Sequence, residues 1–140
     1  MPARRAGEVN PERLFVYGSL RLDARRERTG AQEAFALLQT GAALEGRATV
    51  AGRIYAPSWY PALLPGAFGR VAGEVWRIAE SGTLARLDAY EGEAYAREAL
   101  PALMQDGRTV TAWAYCYLAA LEGVPLITSG DYLDWVRTHP

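Results

Sequence analysis

The stretch LFVYGSL, Leu14 to Leu20, begins as a strand and ends as something else. Leu14, Phe15, Val16 and Tyr17 form the apolar, β-branched and aromatic run that fits a buried strand. The run stops at once on Gly18-Ser19, where the backbone becomes free and small. A rigid strand here delivers a bare, polar-edged turn to one spot, and what that turn faces must come from elsewhere in the chain.

Working outward, Arg70 to Ile78 (RVAGEVWRI) alternates Val71, Gly73 and Val75 against Arg70, Ala72, Glu74 and Trp76. That period of two predicts a strand, with Gly73 marking a bulge or a close backbone approach. Ala48 to Tyr55 reads as another strand. Two more, AYAREALPALM and RTVTAWAYCYL, are joined across QDG, where Asp106-Gly107 is a strong hairpin signal. Ala31 to Thr40 carries strong helix formers and stops at Gly41. Ser81 or Thr83 is placed to cap a short helix that runs to Glu91 and ends on Gly92. A capped helix is expected to start at Asp131. The proline-rich APSWYPALLPGAFG reads as a loop over the surface or the site, and the Arg-rich segment Arg21 to Gly30 as a surface loop of no evident role. Met1 to Glu12 reads as a loose polar tail before a single domain, residues 13–140. About five strands, few short helices and a non-alternating order predict an α+β fold with a curled sheet or small barrel.

Composition narrows the chemistry. The chain has 140 residues and a net charge of -1, so it shows no basic surface for nucleic acid and no polybasic membrane patch. No apolar run approaches the roughly 20 residues needed to span a bilayer. The N-terminus has charge without an apolar core behind it, which leaves the cytoplasm as the expected location. The single Cys116 excludes an internal disulfide framework and a thiolate metal cluster. All 15 basic residues are arginine, so a P-loop lysine, a Schiff base and a Ser-Lys dyad are excluded. The only histidine, His139, is next to last, a poor place for a Ser-His-Asp arrangement. An enzyme of this composition moves protons with a carboxylate and handles charge with backbone amides.

The helix SGTLARLDAYEG singles out which carboxylate. Leu84, Leu87, Asp88 and Glu91 fall at i, i+3, i+4 and i+7, so they share a face that the leucines mark as buried. The last member of that inward stripe is a glutamate at the negative end of the helix dipole. Burial and the dipole both disfavour its charged form and raise its pKa, the direction a proton shuttle near neutral pH requires. The alternative is that Glu91 pairs with an arginine such as Arg97 and stiffens the fold. Asp88 is expected to bond nearby backbone amides.

The motifs FVYGSLR, YPAL (Tyr60 to Leu63), VAGEVWRI, LDAYEGEAYAR, AWAYCY and SGDY occur in that order. Together they resemble the γ-glutamylcyclotransferase-like superfamily, in its small branch of avirulence-induced-gene-like proteins, over roughly Leu14 to Tyr132. The resemblance implies a small mixed five- to six-stranded β-barrel flanked by short helices, with a cavity at one end. It implies that Glu91, the glutamate of the LDxxEG motif, is a general acid/base and that Tyr17, Gly18, Ser19 and Leu20 bind substrate. It places Tyr95 and Arg97, two apart on one strand face, near the site edge, while packing alone accounts for them equally well. Trp113, Tyr115 and Tyr117 share a face that reads as core, with one hydroxyl, such as that of Tyr115, in reach of the cavity; Trp59 and Tyr60 are candidates for its mouth. The reaction implied is cyclisation of a γ-glutamyl amine or peptide to 5-oxoproline with release of the free amine. It needs no metal and no organic cofactor, and its partner is the small γ-glutamyl substrate, taken up by a monomer or weak homodimer. The alternative is a non-catalytic domain of the same fold that binds a small ligand.

Overall fold

Arg13–Val16 form β1, the strand from which the opening turn departs. The computed structural model describes residues 11–18, 20–21, 31–58 and 60–139. The expectations for Ser19, Trp59, most of the Arg-rich segment and the first ten residues lie outside the described residues. The remaining elements are α1 (Ala31–Gly41), β2 (Ala42–Tyr55), β3 (Ala62–Ile78), α2 (Thr83–Glu91), β4 (Tyr95–Met104), β5 (Thr109–Tyr117) and α3 (Tyr132–Thr138).

The strands close into a mixed barrel in the order β1-β3-β2-β4-β5. Four of its pairings are antiparallel, and the parallel pairing of Leu14 with Trp113 and Phe15 with Ala114 completes the ring. Closure gives each strand a partner on both sides, which is how a small sheet limits pairing with other chains. The α+β class with a small mixed barrel and short helices is therefore the fold of this chain.

Strand alternation divides the core in two. Phe15 and Tyr17 point into the barrel with Val50, Ile54, Leu63, Val71 and Val75, while Leu14 and Val16 point out toward the helices. On β5 the small residues Ala112, Ala114 and Cys116 face inward, leaving room for Phe15 and Tyr17. Trp113 and Tyr115 face outward into a second cluster with Phe35, Leu38, Trp76 and Leu87. Trp113 and Tyr115 of the aromatic stripe on β5 are thus packed in the outer cluster, not inside the barrel, while Tyr117 packs on Tyr60 and Tyr95. Helix α3 contributes Tyr132, Leu133, Trp135 and Val136 to the inner cluster.

Several local expectations change. The proline-rich segment is a loop only as far as Pro61; from Ala62 it belongs to the long strand β3, paired with β2 from Tyr55↔Ala62 onward. Between Gly52↔Pro65 and Ala51↔Arg70 the residues Gly66 to Gly69 bulge out of the ladder, and Pro65 sits at that irregularity, where a missing N–H is tolerated. Helix α2 is preceded by Gly82 in a left-handed conformation with no side-chain cap, in place of Ser81 or Thr83. Thr83 is instead buried. Gly73 is a close approach: a Cβ there would lie 2.3 Å from the Val16 carbonyl oxygen. Arg21 is buried at 3% exposure, so the Arg-rich segment does not begin as a surface loop. The described end of the N-terminal stretch is docked, since Pro11 is buried and the Glu12 carbonyl accepts from Ile78 N at 2.6 Å.

Candidate active site

The outward turn of the chain after β1 meets the C-terminal end of α2 across a cavity of about 300 Å³. Tyr17, Gly18 and Leu20 line it from the turn, Tyr90 and Glu91 from α2, Ala94 and Tyr95 from the start of β4, Tyr115 from β5, and Tyr60 and Pro61 from the loop before β3. Leu84 and Leu87 pack α2 onto the outer cluster, and this orients Glu91, one further turn along the same stripe, into the cavity. Gly92, with φ of +75°, ends the helix and donates its N–H to Asp88 O at 3.0 Å.

Among the described residues Glu91 makes no hydrogen bond or ion pair, and it is the only charged side chain lining the cavity. Burial, and then the neighbouring negative charge of Asp88, push its carboxyl up from 4.5 to about 7. Such an acid exchanges a proton near neutral pH.

Arg97 does not neutralise Glu91. Its guanidinium donates to both oxygens of Asp88, Nε to Oδ1 at 2.7 Å and Nη2 to Oδ2 at 3.0 Å, and lies 4.6 Å from the centroid of the Trp113 ring. The Tyr115 hydroxyl donates to the same Asp88 Oδ1 at 2.7 Å. Asp88 therefore bonds side chains, not the backbone amides expected from its sequence. Burial pulls the Asp88 carboxyl up, but the hydrogen bonds from Arg97 and Tyr115 outweigh it and hold that group below its ordinary value. A carboxylate held ionised near neutral pH thus stands one turn from a weakly acidic one, an arrangement that separates the roles of two like groups.

The tyrosines form walls whose hydroxyls are committed within the protein. Tyr17 donates to Tyr115 O at 2.5 Å and Tyr95 to Pro61 O at 2.7 Å. Burial holds the hydroxyls of Tyr17, Tyr95 and Tyr115 well above their ordinary pKa, so they stay neutral. Tyr60 and Tyr95 meet edge to face at 6.4 Å, and Tyr117 packs on Tyr95 at 5.3 Å.

Of the residues singled out from sequence, Tyr17, Gly18, Leu20, Glu91, Tyr95 and Tyr115 come together at one cavity; Arg97 is not among those lining it, and Ser19 lies outside the described residues. Gly18 is pressed against Pro61, since a Cβ there would fall 2.8 Å from Pro61 Cγ. Its bareness thus already serves packing of the turn. Tyr90, Pro61 and Ala94 had no signal in the sequence beyond lying beside Glu91 or within the YPAL motif. Buried Cys116 is pushed up to about 12 by burial, which suits packing and not nucleophilic attack. Residues 31–58 and 60–139 include no helix long and apolar enough to cross a membrane.

Comparison with known proteins agrees with this fold. The family model described as gamma-glutamyl cyclotransferase, AIG2-like, matches residues 14–134. The gamma-glutamylcyclotransferase family protein YtfP of Escherichia coli K12 is 39% identical over 125 residues, covering 87% of this chain and 96% of that protein. Its solution structure superposes with a TM-score of 0.61 over 89% of this chain and 98% of that one. The crystal structure of an AIG2-like protein from Mus musculus shares the fold, with a TM-score of 0.69 at 24% identity over 86% of this chain and 87% of that one. The chain belongs to the AIG2-like γ-glutamylcyclotransferase family, and its mixed barrel with short helices is the fold of a cyclotransferase-like enzyme.

Proposed function

We propose that the protein converts a γ-glutamyl amine or peptide into 5-oxoproline and a free amine, with Glu91 as the general acid/base. The observation that carries this reading is a carboxyl that is unpaired among the described residues, held near neutral pKa and lining the same cavity as Tyr17, Gly18 and Leu20. The substrate brings its own nucleophile, the α-amine, and its own electrophile, the γ-carbonyl. The enzyme has to fold the glutamyl chain into a five-membered near-attack ring, an orientation effect on the order of several kcal/mol.

In this mechanism ionised Glu91 takes a proton from the α-amine as its nitrogen bonds to the γ-carbon. The carbonyl oxygen becomes an oxyanion in a tetrahedral intermediate. The bond to the leaving nitrogen then breaks, Glu91 returns the proton to that nitrogen, and the carbonyl reforms in the lactam. Atoms and charge balance without a redox partner. Amides of the turn hold the substrate α-carboxylate, while the tyrosine walls exclude water and strengthen the electrostatics of the site.

The test is a mass-spectrometric screen of γ-glutamyl compounds for 5-oxoproline. Catalytic release from at least one of them is expected. Saturable binding of such compounds with no product would leave a ligand-binding domain of the same fold instead.

A further inference from the structure

Two pieces of the sequence motifs have no place in the mechanism above: the arginine that ends FVYGSLR and the SGDY segment before the last helix. The fold brings them together. Arg21 Nη1 donates to Asp131 Oδ1 at 2.9 Å, with side-chain exposures of 4% and 29%. A guanidinium that deep is tolerated only against a well-fixed anion.

Asp131 is fixed from several sides. It is the N-cap of α3, and its Oδ1 also accepts from Leu133 N at 2.9 Å. Its own N–H donates to Ser129 Oγ at 3.2 Å. Gly130, with φ of +72°, is wedged against β3, where a Cβ would lie 2.1 Å from Arg70 O, and its carbonyl accepts from Ala72 N at 2.8 Å. Behind Asp131, α3 is anchored in the barrel by Tyr132 and Trp135. At the other end of the link, Arg21 N donates to Gly18 O at 3.1 Å and closes the turn that lines the cavity. Other holds on the turn among the described residues include the Tyr17 hydroxyl bond, the Gly18–Pro61 contact and buried Leu20. The Arg21 link alone of these reaches the C-terminal helix.

We propose that the Arg21–Asp131 pair is the positioning link that holds the Tyr17–Leu20 turn in its ligand-binding geometry, which makes the C-terminal helix part of the site's architecture. This rests on the reading above, in which the turn binds the substrate α-carboxylate. Neither residue lines the cavity, so both act through the turn.

The experiment uses the full chain with Arg21→Met, Asp131→Asn and the double substitution. Asparagine keeps the cap of α3 and loses the charge, so Asp131→Asn decides the matter if Arg21→Met does not fold. Each single variant is expected to raise KM for a γ-glutamyl substrate on the order of tenfold, with kcat within about threefold of wild type. The double variant is expected to be no worse than the more severe single one, because both cut the same link. Folded single variants with wild-type KM, a loss carried wholly by kcat, or losses that multiply in the double variant overturn the proposal. Should wild type release no 5-oxoproline from any γ-glutamyl compound, the cyclotransferase reading falls. The link is then judged from ¹⁵N spectra: displaced Gly18 and Leu20 amide resonances in both variants sustain it, and unmoved resonances overturn it.

Discussion

Arg97 gives its guanidinium to Asp88 and leaves Glu91, three residues further along the same helix, with no cation among the described residues. The consequence is a division of labour between like groups. Asp88 is held ionised by its partners, and its charge, added to burial, keeps Glu91 protonatable near neutrality.

Asp88→Asn removes that charge. Among the described residues, the ionisable groups that share the cavity with Glu91 or act on its charge are Asp88 and Tyr90 on α2, Tyr17 after β1, Tyr60 before β3, Tyr95 on β4 and Tyr115 on β5, with Arg97 acting through Asp88. The tyrosines are neutral at pH 7, so Asp88 is the charge that matters. Its loss eases ionisation of Glu91 and lowers that pKa from about 7, but not to 4.5, because burial is the larger cause. The acidic limb of the kcat/KM profile is expected to move to lower pH in this variant. A limb that stays in place or moves up would contradict the assignment.

The raised Glu91 pKa also ties stability to pH. The folded state binds this proton more tightly than the unfolded chain does. Its contribution is therefore neutral below about 4.5, turns unfavourable as pH rises from 4.5 to about 7, and is fully unfavourable above that. Glu91→Gln is expected to be more stable than wild type at pH 8, on the order of 3 kcal/mol, and to lose that advantage by pH 4. Urea denaturation at the two pH values measures it. Equal differences at both would show that Glu91 titrates as an ordinary surface acid.

Gly73 and Gly92 separate steric from conformational demands. Alanine at Gly73 meets the Val16 carbonyl oxygen at 2.3 Å and the Phe15 ring at 2.7 Å, and the backbone at the barrel seam cannot retreat. A loss of about 3 kcal/mol or failure to fold is expected. Alanine at Gly92 meets nothing within 4 Å but must adopt φ of +75°, which costs about 1–2 kcal/mol. Midpoints of urea unfolding rank the two. A Gly73→Ala protein as stable as Gly92→Ala would mean that β1 and β3 are not packed this closely.

What could be read from the chain alone was whatever depends on local chemistry. The Asp106-Gly107 hairpin, the Asp131 cap and the Gly92 stop each follow from backbone preferences of a few neighbouring residues, and the helical stripe put Glu91 on the Leu84–Leu87 face. The rest depends on partners distant in sequence. Ala62–Gly69 reads as loop because of its prolines and glycines, yet β2 supplies a ladder that absorbs them at a bulge. Arg21 reads as surface because arginine usually is, and its burial depends on Asp131, separated from it by 110 positions. The arginine beside the helix could be expected to seek a carboxylate, but spacing cannot choose between Asp88 and Glu91. The strand register of Arg97 against Tyr115 makes that choice.

In the proposed reaction everything depends on the Glu91 carboxyl transferring the proton. The most direct test of that role is 5-oxoproline release by Glu91→Gln beside wild type, on a γ-glutamyl substrate that wild type turns over, with the fold of the variant verified by its ¹⁵N spectrum. A fall in kcat of about 10²–10⁴-fold is expected, with the spectrum preserved. A correctly folded Glu91→Gln protein that turns over at the wild-type rate would contradict that role.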